Sequence, residues 1–146
     1  MRIVLISTYE LGRQPFGLAS PAAWLRREGF EVTQVDLSRQ SLDEAVVRGA
    51  ELIALYLPMH TATRIAVSAL PKLRTLNPGA HLCAYGLYAP MNAELLRGLG
   101  VKTILGGEFE EGLLSVAQRR SQGTCTTQEG PEVSLKRLEF IAPDRR

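Results

Sequence analysis

Short apolar runs alternate with stretches of helical period along the chain up to about Ser115. Ile3 to Ile6 is a continuous, largely β-branched run, the pattern of a strand buried on both faces. The stretch from Pro15 to Gly29 turns helical in its second half, where Leu18, Ala22 and Leu25 share a face that Arg26, Arg27 and Glu28 avoid. Ser20 is expected to cap this helix, Pro21 to take its first position and Gly29 to end it. Glu31 to Val35, ending at Asp36, predicts a second strand. Leu42 to Arg48 predicts a short helix, with Ser41 and Glu44 as a capping box. Leu52 to Leu57 predicts a third strand. Thr61 to Leu76 predicts a helix, with a bend expected near Pro71, that ends before the turn signal Asn77-Pro78-Gly79. His81 to Tyr85, Asn92 to Leu99, Val101 to Leu105 and Glu108 to Gln118 complete the series as strand, helix, strand and helix.

Five β-α units in succession require parallel strands with right-handed crossovers, and so a three-layer α/β sandwich. Five strands favour the flavodoxin-like (Rossmann-like) order 2-1-3-4-5 over the six-stranded dinucleotide-binding sheet. Gln118 to Pro131, QRRSQGTCTTQEGP, is polar and turn-rich, which reads as loop or linker. The expected division is therefore an α/β domain over residues 1–118 and a linker with connector over 119–146. Val133, Leu135, Leu138, Phe140 and Ile141 are too few for a second core. That tail either packs back on the domain or leads toward a domain outside this chain.

Composition narrows the picture further. The 146 residues amount to about one domain, and 45% hydrophobic with 22% charged residues is a globular balance. A net charge of +2 is too small to argue for nucleic acid. No apolar run approaches a membrane span, and MRIVLISTYE turns polar too soon for a signal-peptide core. The two cysteines, Cys83 and Cys125, form neither a disulfide framework nor a CxxC pair. They are expected as free thiols in a reducing cytoplasm.

In such a sheet a ligand sits beyond the carboxyl ends of the strands, near the switch point between strands 1 and 3. A phosphoacceptor needs an aspartate at the end of strand 3, where Leu57-Pro58 stands instead. A dinucleotide site needs GxGxxG after strand 1, where the sequence reads STYELG. The flavodoxin phosphate turn is matched only loosely by Ser7-Thr8-Tyr9, and no Gly-x-Ser-x-Gly elbow is present. What the loops do offer is glycine for close backbone approach (Gly86, Gly106, Gly107), hydroxyls (Ser7, Thr8, Tyr9, Thr61, Thr63, Tyr85, Tyr88) and apolar cover (Met59, Leu87, Met91). This is chemistry suited to binding without reaction. Each residue also has a reading that needs no ligand. Gly106-Gly107 fits an ordinary βα turn, and His60, Thr61 and Thr63 fit a helix start. Glu108 and Glu110 suit the positive end of a helix dipole.

Three of these loops resemble a known family. The runs Leu57-Pro58-Met59-His60-Thr61-Ala62-Thr63-Arg64, Ala84-Tyr85-Gly86-Leu87-Tyr88-Ala89-Pro90 and Gly106-Gly107-Glu108-Phe109-Glu110 are similar to the amino-terminal cobalamin-binding domain of cobalamin-dependent radical S-adenosylmethionine (SAM) proteins. The resemblance covers about residues 1–118, and the PMHTATR stretch is its distinctive part. Leu135 to Arg145 looks like the connector that precedes the radical domain. The resemblance implies a corrin ring laid on the carboxyl edge, with the dimethylbenzimidazole tail near the loops after strands 1, 4 and 5. Taken with the loop chemistry, the expected cofactor contacts are Ser7, Thr8, Tyr9, Met59, His60, Thr61, Thr63, Tyr85, Gly86, Leu87, Tyr88, Gly106, Gly107 and Glu108. The family's CxxxCxxC motif for an iron–sulfur cluster and SAM belongs to a downstream domain and is absent here. Asp-x-His-x-x-Gly, which supplies a lower cobalt ligand in methionine synthases and mutases, is also absent from Ser7 to Gly12. Two other expectations compete with this one: a structural or interaction domain that has kept the fold without the ligand and meets a partner domain through the same edge, and a nucleotide- or flavin-binding enzyme.

Overall fold

The computed structural model describes residues 1–9, 16–107, 109–121 and 132–134, with Phe16 and 132–134 as backbone only. Strands β1 (Arg2–Ser7), β2 (Glu31–Asp36), β3 (Leu52–Tyr56), β4 (His81–Tyr85), β5 (Thr103–Gly107) and β6 (Glu132–Ser134) form one sheet in the order β2-β1-β3-β4-β5-β6. Every pairing is parallel. Its first five strands have the expected flavodoxin-like order. The sixth was not expected: Glu132–Ser134 pairs with Leu105–Gly107, within the tail read as linker and connector. Three residues are too few to carry a strand period, and the polar run before them masks the return to the sheet.

Helices α1 (Phe16–Arg27) and α5 (Glu110–Ser121) cover one face, while α2 (Glu44–Arg48), α3 (His60–Leu76) and α4 (Ala93–Gly98) cover the other. Strand pleating sorts the core between them. Ile3 and Leu5 join Leu18, Ala22 and Leu25 of α1 and Leu113 and Val116 of α5. Val4 and Ile6 face Ala66, Leu70 and Leu73 of α3. Asn77, in the turn after α3, braces the base of this second layer. Its side-chain amide donates to the carbonyls of Val47 and Ala50 at 2.8 and 2.7 Å.

Two expected helix starts are moved. Ser20 and Pro21 lie inside α1, which begins at Phe16, and Ser20 Oγ donates across to Glu110 Oε1 of α5 at 2.9 Å. Asp43, not Ser41, caps α2, accepting from the amides of Ala45 and Val46. The nearer carboxylate outcompetes the serine because helix formation starts only at Glu44. Pro71 is accommodated within a continuous α3. The segment before α4 forms a short 3-10 turn at Pro90–Asn92.

At the amino edge of the sheet His81 is 7% exposed and its Nε2 shares a 2.8 Å hydrogen bond with the Thr103 hydroxyl. Burial, reinforced by the charges of Arg120, Lys102 and Arg119, lowers its pKa from 6.5 to about 4. The fold therefore holds His81 neutral where the unfolded chain would protonate it, so the unfolded state binds the extra proton between these values. Stability contributed by this site is complete above pH 6.5 and falls as pH drops toward about 4, a loss of about 2–3 kcal/mol. Urea midpoints measured across that range should fall with acid in the native protein and flatten in His81→Gln.

Candidate functional site

The loops at the carboxyl edge are positioned by main-chain bonds around Leu57. Its amide donates to the Tyr85 carbonyl at 2.8 Å, and its carbonyl accepts from the Tyr88 amide at 3.0 Å. The β4 loop is thereby stitched over the end of β3. Gly86 passes so close that a Cβ there would lie 2.9 Å from the Leu57 carbonyl oxygen, and its φ is +112°. Both facts demand glycine at this position, so Gly86 serves the loop crossing itself.

Three of the expected ligand-binding hydroxyls are occupied within the fold. Thr8 Oγ1 donates to the Ala62 carbonyl at 2.7 Å. Thr63 Oγ1 donates one turn back to Met59 at 3.0 Å. Tyr85 is fully buried, and its hydroxyl donates to the Gly17 carbonyl at 2.7 Å. Sequence reading assigns hydroxyls to ligands by their place in a loop, but a backbone carbonyl within reach is the stronger claimant. For Tyr85 that carbonyl has a cause. Gly17 would normally accept from the amide four residues on, where Pro21 has no N–H.

Tyr85 belongs to a cluster that the sequence reading missed. Its ring centroid lies 5.3 Å from Tyr56 and 4.7 Å from Phe109, and Tyr56 lies 5.8 Å from Phe109. A Cβ on Gly17 would meet the Tyr56 ring at 2.2–2.4 Å, so the glycine is the seat of that ring. The available signal was the strand alternation, which puts Tyr56 and Tyr85 on the α1 face at adjacent strand ends.

The other expected site residues are more open. Leu87 is 70% and Met91 72% exposed. Met59, Tyr88 and Tyr9 are half-buried, whereas His60, Thr61 and Gly107 are exposed. Thr61 also lines a shallow hollow of about 220 Å³ with Arg64, Ile65 and Ser68 on the outer side of α3. Gly106 is buried, and Gly107 has φ +65°. Ser7 is buried at the end of β1, beside β3 at the switch point, and its hydroxyl has no partner among the described residues. Glu108 lies outside the described residues, as do Cys125 and the connector residues 135–146. Cys83 is buried mid-strand, as expected. Among the described residues no three His, Cys, Asp or Glu side chains gather as a metal site, and no helix is long and apolar enough to cross a membrane.

No protein-family model matches the chain, and no curated protein matches it significantly. Solved structures do resemble it. One is the radical SAM methyltransferase TsrM from Kitasatospora setae, solved with its tryptophan substrate and a SAM analogue. It superposes at a TM-score of 0.70 with 19% identity over 86% of this chain, which spans only 26% of that one. A response regulator from Burkholderia pseudomallei carrying a phosphorylated aspartate matches at 0.60, with 21% identity over 84% of this chain and 69% of its own. A flavodoxin-like domain from Synechococcus sp. matches at 0.51, with 19% identity over 84% of this chain and 88% of its own. These likenesses establish the flavodoxin-like fold. The response regulator's acceptor chemistry is not reproduced at the end of β3, where Tyr56 and Leu57 stand.

The bond between Tyr85 and Gly17 is open to a direct test. Tyr85→Phe strands a buried carbonyl and should cost about 1–3 kcal/mol. Pro21→Ala restores an amide donor to that carbonyl, so the cost of Tyr85→Phe measured in that background should shrink by about 1 kcal/mol. A denaturant double-mutant cycle reads the coupling.

Proposed function

We propose that this domain holds a corrinoid, cobalamin, on the carboxyl edge of its sheet, as the cofactor-bearing module of a radical SAM enzyme. Such a cofactor supplies a cobalt centre for group transfer, and the domain contributes no bond-making residue of its own. The observation that carries the reading is the exposure of Leu87 and Met91, at 70% and 72%, beside half-buried Met59 and Tyr88. Large apolar side chains left open around a ligand-bearing edge mark a surface that is covered in use. The fit to a corrin rests on the donor set. Leu87, Tyr88 and Met59 cover an apolar ring face, while the exposed backbone at Gly107 lets a broad ligand approach closely. The Ser7 hydroxyl, buried and without a partner among the described residues, is the polar group at the switch point that an amide side arm would have to reach. No lower cobalt ligand is assigned, because Ser7 to Gly12 contains neither aspartate nor histidine.

The resemblance of the three loop runs supports this reading, as does the likeness of fold to TsrM. The radical chemistry is assigned to a separate catalytic domain, since this chain has no CxxxCxxC. A second reading, a partner-binding domain without a ligand, is favoured by the internal use of Thr8, Thr63 and Tyr85. Gel filtration of protein mixed with hydroxocobalamin separates the two. Corrin absorbance should co-elute with the protein, and Leu87→Asp should weaken binding about tenfold without unfolding it. A corrin-free dimer that Leu87→Asp dissociates would replace the first reading with the second.

A further inference from the structure

The carboxyl edge has two unlike sides. Above α3 and α4 the loops carry open side chains, but beneath α1 and α5 the space is filled. On that lower face the row before the strand ends runs Leu5, Ala54, Cys83, small on β3 and β4 only, and Gly17 adds a helix position with no side chain. Small residues on two strands facing a glycine on a helix would leave a slot running down between sheet and helix. Tyr56 and Tyr85 occupy it. The Tyr56 ring takes the volume of the absent Gly17 Cβ, the Tyr85 hydroxyl is bonded to the Gly17 carbonyl at 2.7 Å, and Phe109 closes the top with centroids at 4.7 and 5.8 Å.

The geometry points to a site that takes its corrinoid by the ring and its short amide arms alone, with the nucleotide limb left outside the fold. This inference rests on the corrinoid reading proposed above and names Tyr56 as the residue that sets the specificity. The resemblance implies a limb held near the loops after strands 1, 4 and 5, but the rings there already pack against α1. Tyr85 cannot move aside without stranding the Gly17 carbonyl, which Pro21 cannot serve.

The test compares two corrinoids that differ in the limb. Binding of cyanocobalamin and of dicyanocobinamide, which lacks the nucleotide, is titrated by visible absorbance on the whole chain. Affinities within about threefold of each other are expected, and α-ribazole phosphate (the free limb) should displace neither. Cobalamin binding tighter than cobinamide by about tenfold or more overturns this inference while leaving corrinoid binding intact. Failure of both to bind overturns the two together. In Tyr56→Ala, checked for folding by thermal melting, the emptied slot should move the ratio toward cobalamin. An unchanged ratio would remove Tyr56 from the assignment.

Discussion

Strands β1, β3 and β4 are clad by helices on both faces, so almost every side chain they carry is committed to packing and every backbone group to the ladder. Under that constraint freedom exists only where the strands stop. The carboxyl edge is where the chain must leave the ladder, cross a neighbour and enter a helix. Its residues are therefore judged first by whether they make that crossing possible. Gly86 and Leu57 pass this test as structural parts, whereas Leu87 and Met91 have no such duty and remain open.

A proline inside a helix ordinarily registers as a loss. In α1 the loss is local, and its effect reaches sixty-odd residues along the chain, because the carbonyl that Pro21 leaves uncovered is served by Tyr85. One missing amide thus fixes a tyrosine rotamer at the end of β4, which in turn stacks Tyr56 and Phe109. The shape of the edge on the α1 side follows from that sequence of causes. On the α3 side Leu87 and Met91 stay exposed.

Much of the fold was legible from hydrophobic period alone. His81–Tyr85 matches its expected limits, and the first five strands fall in the expected order, because continuous apolar runs between turn signals admit few other readings. Helix starts were less legible. Ser20-Pro21 has the form of a cap and first residue, yet the hydrophobic face of α1 begins earlier, with Leu18, and burial outweighed the local signal. Where the loop residues sit was legible, but not what their hydroxyls bond to. Thr8, Thr63 and Tyr85 lie at the expected edge with hydroxyls bonded within the fold: Thr63 to its own helix turn, Thr8 and Tyr85 to partners set by the packing of distant elements. Loop sequence contains no trace of that packing.

The direction of β6 has a mechanical consequence. Because it runs parallel to β5, Ser134 ends opposite Gly107, on the same rim as Leu87 and Met91. A polypeptide joined at that point would start from the rim. Anything it carries would meet the edge at an effective concentration of the order of millimolar. A weak contact surface would then suffice to close over the edge, and binding there would be governed by tether length as much as by affinity.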